Sequence, residues 1–222
     1  MSITVAIDGP AGAGKSTVAK AVAAALQYRL VDTGAIYRSV ALLARRQDVS
    51  LDDEKGLETI VRGLDIDFTM IDGVNRVFLR GEDVTEAIRT PEVSRDASLV
   101  STRPVVRRGL LALQRRLAGH GGAVLEGRDI GTVVCPNAPV KIYLDADPDE
   151  RARRRLEELR GRGKEVTHED VLSEMVARDA QDMGREHAPL KAADDAIHLD
   201  STKLTPSEVL DHIVAAVRKA GG

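Results

Sequence analysis

Lys15 and Ser16 close an octet, Gly9-Pro10-Ala11-Gly12-Ala13-Gly14-Lys15-Ser16, that fits G-x-x-x-x-G-K-[ST]. Glycines at that spacing let the backbone curl until successive N–H groups point inward, and a helix opening near Lys15 adds its positive dipole end to the same spot. The natural guest is a polyphosphate. Lys15 would reach its terminal phosphates, and the Ser16 hydroxyl would hold a Mg²⁺ that bridges them.

Three further groups could do chemistry. Gly127-Arg128-Asp129-Ile130-Gly131 sets an arginine beside an acid between two glycines, which suits an anion and a hydrogen-bond donor together. Arg151, Arg154 and Arg155 fall at i, i+3 and i+4, so a helix would carry them on one face. A solvated face laced with pairs such as Glu150 with Arg154 would look the same, but beside a phosphate loop the cluster also suits a lid that brings cations onto developing charge. Arg178, Asp182 and Arg185 line one helical stripe of cation, acid and cation, a pattern that a salt-bridged surface shares. Asp145 reads equally as a helix cap or as a functional acid.

The elements needed to position these groups can be read from the pattern. Ile3-Thr4-Val5-Ala6-Ile7 is a β-branched strand directly before the octet, and Val18, Ala19, Val22, Ala23 and Leu26 form a helical face behind it. Residues 29–31 read as a second strand and 35–46 as a helix. Ser50, Asp52, Asp53 and Glu54 cap another helix toward Arg62. The rhythm then changes to two alternating runs, 66–71 and 76–80, joined through Asp72-Gly73-Val74-Asn75 as an antiparallel hairpin. Pro91 and Pro104 open helices over 91–101 and 104–118, and Gly119-His120-Gly121-Gly122 is a turn. Strands return at 123–126 and 140–144. Asp147-Pro148 starts a helix that breaks at Gly161-Arg162-Gly163-Lys164, Thr167 to Met183 is helical, 196–199 is a last strand, and Thr205-Pro206 starts a closing helix. Five short strands interleaved with helices predict an α/β fold with a parallel sheet covered on both faces, and ligands in such sheets bind beyond the carboxyl ends of the strands.

Composition narrows the function further. The 222 residues are 43% hydrophobic and 30% charged with a net charge of −3, which gives no reason to expect a nucleic-acid duplex as partner. With two Phe, three Tyr and no Trp, the chain is also poorly equipped to stack the bases of a single strand. Cys135 is the single cysteine, so no intrachain disulfide can form, which fits a reducing cytoplasm. No signal peptide is expected, and no apolar run approaches the roughly 18 residues of a membrane span. The histidines at 120, 168, 187, 198 and 212 lack metal-ligand spacing.

The octet, Asp32-Thr33-Gly34-Ala35-Ile36-Tyr37-Arg38, Gly81-Glu82-Asp83-Val84, the stretch from Glu126-Gly127-Arg128-Asp129 to Val134, Ala138-Pro139-Val140-Lys141 and Arg178-Asp179 together resemble the bacterial cytidylate kinases, collinearly and over essentially the whole chain. The resemblance implies a nucleoside-monophosphate-kinase fold: a single kinase unit over 1–222, with a core of 1–62, 104–150 and 184–222, an acceptor-binding insert at 63–103, and a helical lid at about 151–183. It implies transfer of the γ-phosphate of ATP to CMP or dCMP, with Mg²⁺ as cofactor. By the same resemblance, Gly9, Pro10, Ala11, Gly12, Ala13, Gly14, Lys15, Ser16 and Thr17 with Arg154 would hold ATP, and Lys15, Arg128, Arg151, Arg155 and Arg185 would act in the transfer. Arg38, Arg128 and Arg185 would hold the acceptor phosphate, Ser98, Arg107 and Asp129 would read the cytosine edge, Arg178 and Asp182 would meet the sugar, and Thr33 and Tyr37 would line the pocket. Gly12-Ala13-Gly14-Lys15-Ser16 ends in Ser where some members have Gly-Thr, which leaves Ser16 or Thr17 as the metal ligand, Ser16 being preferred from the motif.

Chemistry agrees with that reading. Phosphoryl transfer needs in-line placement and cations rather than a dedicated nucleophile. An acid such as Asp129 suits the amino donor of cytosine, and uracil would set a carbonyl against it. The rival readings are a GTPase switch, which would need an N-K-x-D motif that is absent, and a kinase for another small acceptor such as UMP or a shikimate-type substrate. A cytoplasmic monomer is expected.

Overall fold

Val5, Ala6 and Ile7 have no exposed surface, and the strand they build, β1 (Thr4–Asp8), is the middle strand of a five-stranded sheet. The computed structural model describes residues 2–119, 121–161 and 163–221. In chain order the elements are β1, α1 (Lys15–Leu26), β2 (Arg29–Asp32), α2 (Thr33–Arg46), α3 (Glu54–Arg62), β3 (Ile66–Ile71), β4 (Val74–Leu79), β5 (Glu82–Asp83), α4 (Pro91–Val100), α5 (Pro104–Ala118), β6 (Ala123–Gly127), β7 (Val140–Asp145), α6 (Pro148–Gly161), α7 (His168–Met183), β8 (Ile197–Asp200) and α8 (Pro206–Lys219). The large sheet has the order β2-β6-β1-β7-β8. Helices, singly or in pairs, separate the strands of this sheet as the α/β reading expects, except between β6 and β7. Among the described residues no helix is long and apolar enough to cross a membrane.

The chain packs as two compact units, one of residues up to Arg29 with those after Gly119, the other Leu30–Gly119. In the first, β1 runs parallel to β6 and β7, and the register sets Asp8 against Gly127 and Tyr143. β8 joins β7 in parallel with Asp145 level with Asp200. The carboxyl ends of these four strands therefore lie together, carrying Asp8, Gly127, Asp145 and Asp200. α1 lies against β6 and α8, and α6 packs on α7 through Ala152, Leu156, Val171 and Met175. A π-helical turn, Ile130–Val134, follows β6. α7 and α8 both open with a reciprocal capping box, Thr167 with Asp170 and Thr205 with Glu208. β8 is the open edge of the sheet, with Ile197, His198 and Asp200 exposed; its end is closed by the Ser201 amide on the Asp145 carbonyl and the Thr202 amide on Asp200.

The second unit holds an antiparallel sheet of order β3-β4-β5. Its first turn is two residues long, not four: Asp72 (φ 49°) and Gly73 (φ 70°) both take the left-handed conformation, and Val74 and Asn75 are already in β4, paired with Ile71 and Met70. This geometry suits the right-handed twist of a tight hairpin. Arg80 (φ 50°) and Gly81 (φ 82°) repeat it, so Arg80 leaves the strand expected for it and turns the chain into β5. β5 is Glu82-Asp83, with no apolar alternation to announce it. The cap of α3 is Asp53, which accepts from the Lys55 and Gly56 amides, while Ser50 accepts from Asp52 in the preceding turn. The helix expected from 35 starts at Thr33 because Asp32 caps it, accepting from the Ala35 amide at 2.9 Å. His120 and Arg162, in the two glycine-rich breaks, lie outside the described residues.

Candidate active site

The phosphate loop joins β1 to α1. Gly9 could be nothing larger, since a Cβ there would stand 1.9 Å from the Leu144 carbonyl oxygen on β7. Gly14, at φ 90°, is the N-cap of α1 and has no side chain to occupy the first amides of the helix. Those amides and the dipole behind them suit an anion. Lys15 is buried with its Nζ donating to the Pro10 carbonyl at 2.5 Å. Burial, followed by the nearby Arg128, holds its pKa well below the usual lysine range; Glu126 pulls the other way and Arg178 adds to the lowering. Two arginines therefore stand close enough to Lys15 to act on it, and the site concentrates positive charge.

Acids balance that charge from below. Ser16 Oγ donates to Glu126 Oε2 at 2.8 Å, joining the loop to the end of β6. Asp8 accepts from the Ile130 and Gly131 amides at 2.8 and 2.7 Å, which ties the end of β1 to the π-helical turn. Burial pushes its pKa up to about 6 against those two hydrogen bonds. Thr17 is exposed.

Arg128 and Arg185 share one anchor. Arg128 Nε donates to Asp182 Oδ2 at 2.9 Å, and Arg185 Nη2 donates to Asp182 Oδ1. Asp182 is 1% exposed. The middle acid of the stripe 178, 182, 185 is thus buried and anchors Arg128 as well as Arg185, and Arg178 stands near Lys15. Asp129 is buried, and its carbonyl accepts from the Val133 and Val134 amides.

The three arginines of α6 part company. Arg151 is buried: its Nε donates to the Ala146 carbonyl at 3.0 Å and its Nη1 to the Ala11 carbonyl at 2.9 Å and to Asp179 at 2.5 Å. Arg154 donates to Glu150, to Ser201 Oγ and to the Ser201 carbonyl, and its Nη1 would be 3.9 Å from a Cβ on Gly14. Arg155 pairs with Glu158 at the surface. Asp145 accepts from the Ala146 amide and stands 3.8 Å from Arg151, while Asp147 accepts from the Asp149 amide as the first-turn cap of α6.

In the second unit, Thr33 is buried at the start of α2, and Arg38 Nη2 donates to Asp32 at 2.7 Å. Arg38 Nε is buried and has no hydrogen-bond partner among the described residues. The Arg107 guanidinium lies 5.7 Å from the Tyr37 ring centroid and donates to the Ser101 carbonyl, and Ser101 Oγ donates in turn to the Ser98 carbonyl. Tyr37, Ser98 and Arg107 are therefore brought together by α2, α4 and α5.

A family model described as "Cytidylate kinase" matches residues 5–219. The chain belongs to the cytidylate kinase family. The cytidylate kinase of Geobacter sulfurreducens is 51% identical over 217 residues, covering 98% of this chain and 93% of that protein, and that of Caldanaerobacter subterraneus subsp. tengcongensis is 48% identical over 219 residues, covering 99% and 96%. An uncharacterized protein from Eubacterium ventriosum shares the fold in its crystal structure, with TM-score 0.53, 15% identity and 99% of each chain covered.

For a cytidylate kinase, the motif-led reading left three acids without a role: Asp8, Glu126 and Asp179. Asp8 and Glu126 each end an apolar strand, a visible signal. Asp179 gave no such signal, because its partners are a backbone peptide 168 residues away and an arginine on another helix.

Proposed function

We propose that this chain phosphorylates CMP and dCMP to CDP and dCDP with ATP as donor. The observation that carries the reading is the family match from residue 5 to residue 219, which takes in the phosphate loop and every candidate acceptor residue. The amides after Gly12, the Lys15 ammonium and the N-terminus of α1 hold the donor phosphates. Arg154, beside Gly14 and the Ser201 segment, contacts ATP, and Arg151 and Arg155 belong to the lid. Arg128 and Arg185, oriented by Asp182, take the acceptor phosphate with Arg38, whose buried Nε is a donor in want of an acceptor.

The acceptor is read as a cytosine nucleotide by Asp129, Ser98 and Arg107, with Thr33 and Tyr37 lining the pocket. Arg178 and Asp182 meet the sugar. A carboxylate offers about four acceptor positions, so Asp182 can hold both arginines and still accept from a hydroxyl. Uracil would turn a carbonyl toward Asp129, and the unmatched pair is the basis of discrimination.

Mg²⁺ fits the oxygen pair of Ser16 and Glu126, which lie 2.8 Å apart at the mouth of the loop. Bound there with ATP, it would neutralise charge on the transferred group. Among the described residues no cluster of three or more His, Cys, Asp or Glu is placed to hold a metal, so its remaining ligands would be phosphate oxygens and water. The enzyme works as a cytoplasmic monomer.

Purified protein with ATP, Mg²⁺ and each of CMP, dCMP, UMP, AMP and GMP, followed by ADP formation, tests the reading. CMP and dCMP should exceed the others in kcat/KM by at least about 100-fold, as expected when a polar site is mismatched. Equal turnover of UMP or AMP would overturn the acceptor assignment.

A further inference from the structure

One peptide of the phosphate loop is held on both sides. The Ala11 N–H donates to Asp179 Oδ1 at 3.0 Å, and the Ala11 carbonyl accepts from Arg151 Nη1 at 2.9 Å. The same Nη1 bonds the other oxygen of Asp179 at 2.5 Å, so α6, α7 and the loop close a three-membered ring of hydrogen bonds. Both side chains are buried, each 8% exposed. Apolar packing reinforces the ring: Ala11 lies against the buried cluster of Ala152, Leu156, Val171 and Met175 between the two helices. A Cβ on Gly12 would meet Met175 Cε at 2.5 Å and the Arg151 carbonyl at 3.0 Å, so the loop and the helix pair are already in van der Waals contact.

We propose that Asp179, clamped by Arg151, is a positioning residue for the donor nucleotide, fixing the Ala11 peptide and tying the α6–α7 pair to the phosphate loop. The inference rests on the kinase reading above and extends it from Arg151 to Asp179, an acid to which that reading gives no part. A carboxylate on the Ala11 N–H withdraws that amide from the phosphates, which are thereby directed onto the amides that follow Gly12. Arg151 holds the carboxylate in place through their hydrogen bond, so an anion can sit beside an anion-binding loop without entering it. Any movement of α6 and α7 is transmitted to the loop through two hydrogen bonds and a shared apolar contact, and loop geometry is what in-line transfer is most sensitive to.

The test compares Asp179→Asn and Asp179→Glu with the parent, measuring kcat, KM for ATP, KM for CMP, ATP affinity by calorimetric titration, and melting temperature. Asparagine can still accept from the Ala11 amide but then turns an NH₂ donor toward the Arg151 guanidinium. D179N should weaken ATP binding and raise KM for ATP about tenfold or more and lower kcat by a similar factor, as a small misplacement at the loop would, while KM for CMP changes less than twofold. D179E should recover part of the ATP affinity. A lower melting temperature with ATP affinity, kcat and both KM values unchanged would overturn the proposal, and so would an equal rise in both KM values. Loss of ATP affinity in D179N, with no CMP phosphorylation by the parent, would support the loop role and reject the acceptor reading, keeping the two apart. Should D179N not fold, Arg151→Lys is measured in the same way, with a raised KM for ATP expected; a parental value, or failure of both variants to fold, overturns the positioning role.

Discussion

Asp182 and Arg128, 54 residues apart in sequence, meet through a 2.9 Å hydrogen bond at a site where the acid is almost wholly enclosed. The other oxygen of the acid holds Arg185. Two cations proposed to grip the acceptor phosphate are thus spaced by one carboxylate, and their separation is set before any substrate arrives.

Replacing that carboxylate should loosen both. Asp182→Asn leaves one acceptor oxygen for two guanidinium groups, and breaking a buried pair from one side costs about 3–5 kcal/mol. Urea denaturation should show a loss in this range, and KM for CMP should rise more than KM for ATP. A loss under about 1 kcal/mol would mean that the arginines are held by other groups.

Lys15 should be dispensable for folding and essential for transfer. Its burial among Arg128 and Arg178 disfavours its own charge, so Lys15→Met, similar in volume and neutral, should leave the melting temperature unchanged or higher. The rate of CMP phosphorylation should fall about 100- to 1000-fold, the range seen when one preorganised transition-state donor is removed. Retained turnover would contradict the placing of the donor phosphates.

The pH dependence of stability should carry the signature of Asp8. Its folded pKa, about 6, stands above the unfolded value of 3.8, so the native state binds more protons between those values. Its contribution is fully present below about pH 4 and is lost as pH rises through 6, by on the order of 3 kcal/mol at 1.4 kcal/mol per unit. Asp8→Asn removes this slope but presents an NH₂ to one of the two amides at Ile130 and Gly131, at a cost of about 1–3 kcal/mol. Denaturation curves from pH 4 to 8 should therefore show the parent losing stability relative to D8N as pH rises. Parallel curves would assign the proton elsewhere.

Two glycines separate close approach from backbone strain. Gly9→Ala drives a methyl into the Leu144 carbonyl, and the clash of two backbones in a central sheet should cost more than about 4 kcal/mol or prevent folding. Gly81→Ala meets nothing within 4 Å and keeps only the penalty of φ 82°, about 1–2 kcal/mol. Thermal melts of the two variants should differ by about 6 °C or more, given about 3 °C per kcal/mol at this chain length.

The strands and helices around the phosphate loop were legible because β-branched runs, capping residues and first-turn prolines are local signals. Thr90-Pro91, Thr167 and Thr205-Pro206 each begin a helix as their chemistry dictates. β5 was not legible, since Glu82-Asp83 pairs through its backbone and through ion pairs such as Arg46 with Glu82. Nor were the separate destinations of Arg151, Arg154 and Arg155. Helical spacing says that three residues share a face, but whether the fold covers part of that face depends on a second helix and a loop distant in sequence. The same holds for Asp182, whose i+3 partner was visible and whose partner 54 residues away in sequence was not.

The edge strand β8 has one more consequence. It exposes four residues of backbone, ends at once in the Ser201 and Thr202 bonds, and carries His198 and Asp200 outward. A neighbouring molecule finds too short a template to extend the sheet by its own strand, which disfavours edge-to-edge aggregation in a concentrated solution of the protein.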